Sequence, residues 1–115
     1  KGNVWLTERG SSLGYGRLVV DMTSLVEMKR FGCPVIFDAT HSVQQPSSAQ
    51  GVTGGNRQMV APLVRAAVAV GVDGLFIETH PHPEKAISDA ANQVPLADMD
   101  RLIAQAIAIE KTMQD

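Results

Sequence analysis

The chain has 115 residues, 44% of them hydrophobic and 19% charged, with a net charge of −2 at pH 7. That balance is one of a soluble globular domain rather than a disordered chain, and the lack of a basic field argues against nucleic acid as a partner. No apolar run approaches the ~20 residues of a membrane helix and no signal peptide opens the chain, while a single cysteine, Cys33, excludes an internal disulfide framework and fits a reducing cytoplasm.

In chain order, Val4–Leu6 is a short apolar run that reads as a strand. It starts so close to Lys1 that earlier elements are expected to lie elsewhere. The Gly-rich stretch "RGSSLGYGR" reads as a loop. From about Val20 to Phe31, Met22, Leu25, Val26 and Met28 or Lys29 recur at helical spacing, Gly32 closes the helix and Pro34 bars its continuation. Val35–Phe37 is a second strand, followed by a long Ser/Gly/Gln-rich loop through Asn56. Arg57 to Val70 is predicted helical and is apolar almost all round, which predicts burial of most of its circumference. Pro62 falls near its first turns, where proline is tolerated best, and Gly71 ends it. Leu75–Ile77 is a third strand. After "ETHPHPEKAISDAANQVP", Leu96 to Met113 forms an amphipathic helix with Met99, Leu102, Ile103, Ala106 and Ile107 or Glu110 on one side. Met22, Met28, Met59 and Met99 read as core filler.

The order β-α-β-α-β-α implies an α/β fold with parallel strands and right-handed helical crossovers. Apolar residues at successive strand positions fit strands covered on both faces. An open doubly wound sheet and a segment of a (β/α)8 barrel both satisfy this, and in both the ligand sits at the carboxyl ends of the strands. No Gly-x-Gly-x-x-Gly or Walker signature follows a strand, which argues against a nucleotide fold. A closed barrel takes about 250 residues, so the chain reads as the C-terminal part of one, residues 1–115 lying within a single catalytic domain.

Glu8, Arg9, Asp38, His41, Glu78 and His80 all fall at strand ends on that one edge, and Asp89 lies in the loop beyond. An imidazole with two carboxylates, His41, Glu78 and Asp89, suits a divalent cation such as Zn²⁺, Fe²⁺ or Mn²⁺. Spacing leaves open that His41 is a structural histidine and Glu78 a loop cap. Arg9 has the planar fork that grips a phosphate or carboxylate, and equally the position to pair with Glu8 or Asp38 at the rim. His80 and His82 in "HPHP" read as loop-stiffening residues, and Cys33 as an inert thiol on the side away from the site. The loop "QQPSSAQGVTGGNR" has the length and small residues of a lid over substrate, or of a disordered insertion.

"LTERG", "GYGRLVVDM", "DATHSVQ", "AVAVGVDGLFIETHP" and "SDAANQVPL" together, across essentially the whole chain, resemble the 3-deoxy-D-manno-octulosonate 8-phosphate synthase family. "FDATHSVQ" and "FIETHP" in tandem are the most specific part. The resemblance implies a TIM barrel of which this chain supplies roughly the last three βα units. It also implies condensation of phosphoenolpyruvate with D-arabinose 5-phosphate and water in lipopolysaccharide precursor synthesis, by a cytoplasmic homotetramer. Carried over by motif, Arg9 of "TERG" would hold phosphoenolpyruvate through its phosphate. Gln44 of "HSVQ" would contact the hydroxyls of the sugar phosphate. His41, Glu78 and Asp89 would be ligands of a divalent metal (Zn, Fe, Mn or Co), with His41 and Asp89 also next to the chemistry. The family's first ligand position, Cys in metal-dependent members and Asn in metal-independent ones, has no counterpart in these residues. "SDAANQ" in place of a Cys-Asp-Gly motif favours the metal-dependent class, with Gln93 beside the ligands. Two alternatives stand: a heptulosonate phosphate synthase acting on erythrose 4-phosphate, and a fragment without turnover of its own. A histidine-rich aldolase site is disfavoured because only His41 is well placed for it.

Overall fold

The structure, a computed structural model, describes residues 3–12, 14–46 and 54–114. Its strands in chain order are β1 (Leu6–Glu8), β2 (Val35–Asp38), β3 (Gln44–Gln45), β4 (Gly54–Gly55), β5 (Gly74–Phe76), β6 (Thr79–His80) and β7 (Val94–Pro95). Its helices are α1 (Met22–Lys29), α2 (Val60–Val70) and α3 (Met99–Thr112).

β1, β2 and β5 form one parallel sheet in that order, in the register Leu6↔Val35 and Ile36↔Gly74. Because side chains alternate along a strand, this register puts Leu6, Glu8, Val35, Phe37 and Leu75 on one face. Thr7, Ile36, Asp38, Gly74 and Phe76 share the other. Val35 and Phe37 are 0% exposed, as are Leu25 of α1 and Val64 and Ala67 of α2. The core is therefore the first face and the helices that cover it, α2 packing against α1 on one side and α3 on the other. The second face keeps Thr7 and Phe76 open to solvent. A doubly wound sheet would cover both faces; this one has a helical layer outside and a bare inner face, the layering of a (β/α)8 barrel wall.

Local signals explain the boundaries. Pairing begins where Leu6 N–H donates to Pro34 C=O at 2.9 Å, so β1 lies two residues later than the apolar run suggests, and Val4 and Trp5 stay exposed. Asp21 caps α1, accepting from Thr23 N–H at 2.9 Å. The Thr23 hydroxyl and amide together hold the Asp21 carboxyl below the ordinary aspartate range. That cap starts the helix at Met22 rather than Val20, and Val26 faces outward. Arg57–Met59 is a 3₁₀ turn that precedes α2, and Gly71 ends α2 at φ 106, a left-handed position that glycine adopts without strain.

α2 is not buried all round within the described residues. Val60, Val64, Ala67 and Val68 are buried, whereas Met59, Ala66, Ala69 and Val70 are exposed. Its outer face is rich in alanine, which favours helix while presenting little apolar area. α3, entered through a 3₁₀ turn over Leu96–Asp98, turns Met99, Leu102, Ala106 and Ile109 inward. Ile103 and Ile107, expected on that side, are left nearly half exposed. β5 starts one residue early, at Gly74, and Ile77 packs on the core just past the ladder. Two further strand pairs lie in stretches that read as loops: β3 with β4, antiparallel, and β6 with β7, parallel. Of the expected lid, 47–53 lie outside the described residues. At the opposite, amino end of the strands, Trp5, Cys33 and Pro34 line a shallow recess.

Candidate metal centre

The mouth is built at the carboxyl ends of β2 and β5. Asp38, the last residue of β2, is 5% exposed. Its Oδ1 accepts the amides of Thr40 and His41 at 3.1 and 2.9 Å, which folds the chain into a tight turn directly after the strand. Its Oδ2 lies 2.8 Å from His41 Nδ1. A carboxylate only accepts, so Nδ1 is the donor in this pair, and the bond fixes the ring with Nε2 turned to the mouth. Thr40, fully buried, accepts the Glu78 amide on Oγ1 at 2.7 Å and so ties the end of β2 to the residues after β5.

Three side chains meet at His41 Nε2. Glu78 Oε1 lies 3.1 Å from it and Asp89 Oδ2 3.4 Å. One ligand atom from each of the three residues falls within 4.8 Å of the others. Bonds of about 2.1 Å to a common ion set neighbouring ligand atoms about 3.0 Å apart at a right angle and about 3.4 Å apart at the tetrahedral angle. Both His41 separations sit in that window, and one imidazole nitrogen with two carboxylate oxygens is a donor set for a borderline divalent cation. The residues fit a metal. Phe76 closes one side, its ring centroid 5.8 Å from that of His41.

The loop that carries Asp89 is held by several contacts. Asp89 has φ 52, left-handed for a non-glycine residue, and its carbonyl accepts the amides of Asn92 and Gln93 at 2.9 and 3.0 Å. Gln44 Nε2 donates to Asp89 Oδ1 at 2.8 Å, and Gln93 Nε2 donates to the Ser88 carbonyl at 2.8 Å. Gln44 thus touches one of the two carboxylates that face His41, and Gln93 braces the residue before it.

Other residues at this edge have different surroundings. Arg9 Nε stands 3.9 Å from Asp38 Oδ2, the rim pairing, with the side chain 55% exposed. The Glu8 carboxylate turns to the helical layer, taking hydrogen bonds from the Gly10 amide at 2.6 Å and from the Ser24 hydroxyl of α1. Glu8 lies on the helix-facing side of β1, so the alternation of the strand removes it from the mouth. His80 Nδ1 accepts the His82 amide at 2.9 Å, a turn contact. Sequence reasoning missed the orienting role of Asp38 and the strut of Thr40. The signal was present in the acid that ends β2, three residues before the histidine.

The family model for the DAHP synthetase I family matches residues 1–115. The chain belongs to this family. Among curated relatives, the 2-dehydro-3-deoxyphosphooctonate aldolase of Syntrophotalea carbinolica is 56% identical over 107 residues, 93% of this chain and 39% of that protein. The enzyme of the same name from Rhizobium meliloti is 57% identical over 108 residues, 94% of this chain and 39% of its own length. The phospho-2-dehydro-3-deoxyheptonate aldolase (DAHP synthase) of Thermotoga maritima superposes with a TM-score of 0.76 at 29% identity, covering 94% of this chain and 29% of that one. The chain thus spans about two fifths of the curated relatives it matches and is a (β/α)8-barrel segment of this family. No helix among the described residues is long and apolar enough to cross a membrane.

Proposed function

We propose that the full-length protein carrying this chain condenses phosphoenolpyruvate with D-arabinose 5-phosphate and water, giving 3-deoxy-D-manno-octulosonate 8-phosphate and inorganic phosphate for a lipopolysaccharide precursor. The observation that carries this reading is the convergence of His41 Nε2, Glu78 Oε1 and Asp89 Oδ2 at one strand-end mouth, at 3.1 and 3.4 Å from the imidazole. The names and 56–57% identity of the relatives support the eight-carbon product over a seven-carbon one, the DAHP synthase of known structure standing at 29%.

In the reaction, carbon 3 of phosphoenolpyruvate attacks the aldehyde carbon and water adds at carbon 2. The resulting hemiketal phosphate loses phosphate by C–O cleavage. His41, Glu78 and Asp89 would hold a divalent metal (Zn, Fe, Mn or Co), which supplies Lewis acidity and orients the aldehyde and water. The Asp38 carboxylate, bonded to Nδ1, orients the His41 ring so that Nε2 faces the reacting groups. Arg9, half out in solvent, offers its fork to the phosphate of phosphoenolpyruvate, exchanging a 3.9 Å rim contact for a bidentate one. Gln44, fixed between β3 and Asp89, is placed to read the hydroxyls of the sugar phosphate. Holding two anions and a water in one mouth removes much of the entropic barrier. By the same resemblance the protein is a cytoplasmic homotetramer, and residues 1–115 are the C-terminal segment of its one barrel domain.

The test is a substrate panel on the full-length protein with D-arabinose 5-phosphate and erythrose 4-phosphate, alongside metal analysis of His41→Gly. We expect turnover with the five-carbon aldose phosphate and loss of bound metal in the variant. Preference for erythrose 4-phosphate, or unchanged metal content in His41→Gly, would sink the assignment.

A further inference from the structure

Arg57 opens the 3₁₀ turn between β4 and α2, thirty-two positions before Asp89 in the chain yet beside it in space. Its NH2 group donates to the carbonyl of Ala90, the peptide immediately after the ligand, at 2.5 Å. Its Nε is buried without a hydrogen-bond partner, and no carboxylate among the described residues lies within ion-pair distance of it. A guanidinium with one buried, unpartnered nitrogen and no neutralising acid beside it carries a desolvation cost. Here it is spent on one backbone oxygen in the segment that must hold Asp89 left-handed at φ 52.

Two other contacts join the same pieces. On β3, Gln44 donates to Asp89 Oδ1 at 2.8 Å. On β4, Gly55 lies flat against buried Asn92: a Cβ at Gly55 would fall 1.3 Å from Asn92 Oδ1. The Asp89 loop is thus held at Asp89 and just after it, by β3, by β4 and by the turn that follows β4.

We infer that Arg57 is the positioning residue for the Asp89 ligand, acting through the Ala90 peptide to keep the carboxylate within reach of His41 Nε2. This rests on the metal reading above and deepens it. Arg57 touches neither substrate nor metal. Its loss should loosen one of the three residues proposed as ligands while leaving the apolar core, of which it is not a member, in place.

The experiment measures metal dissociation constants of the full-length protein by chelator competition, with thermal midpoints recorded on the same samples, for wild type, Arg57→Met, Arg57→Lys and His41→Gly. Removal of a residue that orients a metal ligand costs 10–100-fold in affinity. We therefore expect a loss of at least about tenfold for Arg57→Met. Arg57→Lys, which can still donate to Ala90, should recover part of it. Excess metal should restore most of the turnover of Arg57→Met, which a purely structural defect would not allow. If Arg57→Met binds metal like wild type while His41→Gly does not, the inference alone is overturned. The same holds if Arg57→Met and Arg57→Lys lose thermal stability with no change in affinity. A wild-type protein that binds no divalent metal overturns both this inference and the metal reading.

Discussion

Asp38, Thr40 and His41 follow one another at the end of β2, and each fixes something beyond its own strand. Asp38 orients the His41 ring through Nδ1 while capping the turn that carries it. Thr40 Oγ1 receives the Glu78 amide at 2.7 Å, so a hydroxyl on one strand end locates the ligand on the next. Thr40→Val keeps the shape and removes the acceptor, leaving that amide unpaired at a cost of about 1–3 kcal/mol. Thermal unfolding of the full-length protein should show the loss, with Thr40→Ser close to wild type. Equal midpoints for the valine and serine variants would refute the strut.

Among the elements, the strands that carry apolar runs were legible in the sequence, because Val35–Phe37 has a proline before it and an acid after it. The nearness of His41 and Glu78 at one edge was legible too, since each stands just past such a run. What the sequence did not disclose depends on pairing between distant segments. β3–β4 and β6–β7 are two residues long in each strand, too short to leave a periodic signature. Glu8 turns toward Ser24 because it lies inside β1 rather than past its end, on the same face as Leu6. The outward face of α2 escaped notice because alanine is compatible with either side of a helix. The β3–β4 hairpin also yields a sharp test at Gly55. A methyl group there would overlap Asn92 Oδ1, so Gly55→Ala must push the Asp89 loop away. We expect a loss of about 1–3 kcal/mol of stability, read by denaturant unfolding, together with weaker metal binding. Unaltered stability and affinity would show that the hairpin and loop are not in register.

At the scale of the whole molecule, three parallel strands with helices on one side leave an inner face bare and the outer edges of β1 and β5 unpaired among the described residues. Open parallel edges and a bare apolar face invite pairing with other chains. The 115-residue chain produced by itself is therefore expected to self-associate and to show no turnover. Sedimentation and a coupled phosphate-release assay check both. A monodisperse, active 115-mer would mean that the mouth needs no further wall.

The recess that holds Trp5 and Cys33 has a practical use. Trp5 is the sole tryptophan and Cys33 the sole cysteine of the chain, and both sit at the pole of the barrel wall away from His41. In the 115-residue chain produced by itself, a dye on the thiol, or the emission of the indole, would sense whether its copies meet at this end. A divalent cation at the far rim should leave both signals flat, so any optical change on adding one would have travelled the length of the strands.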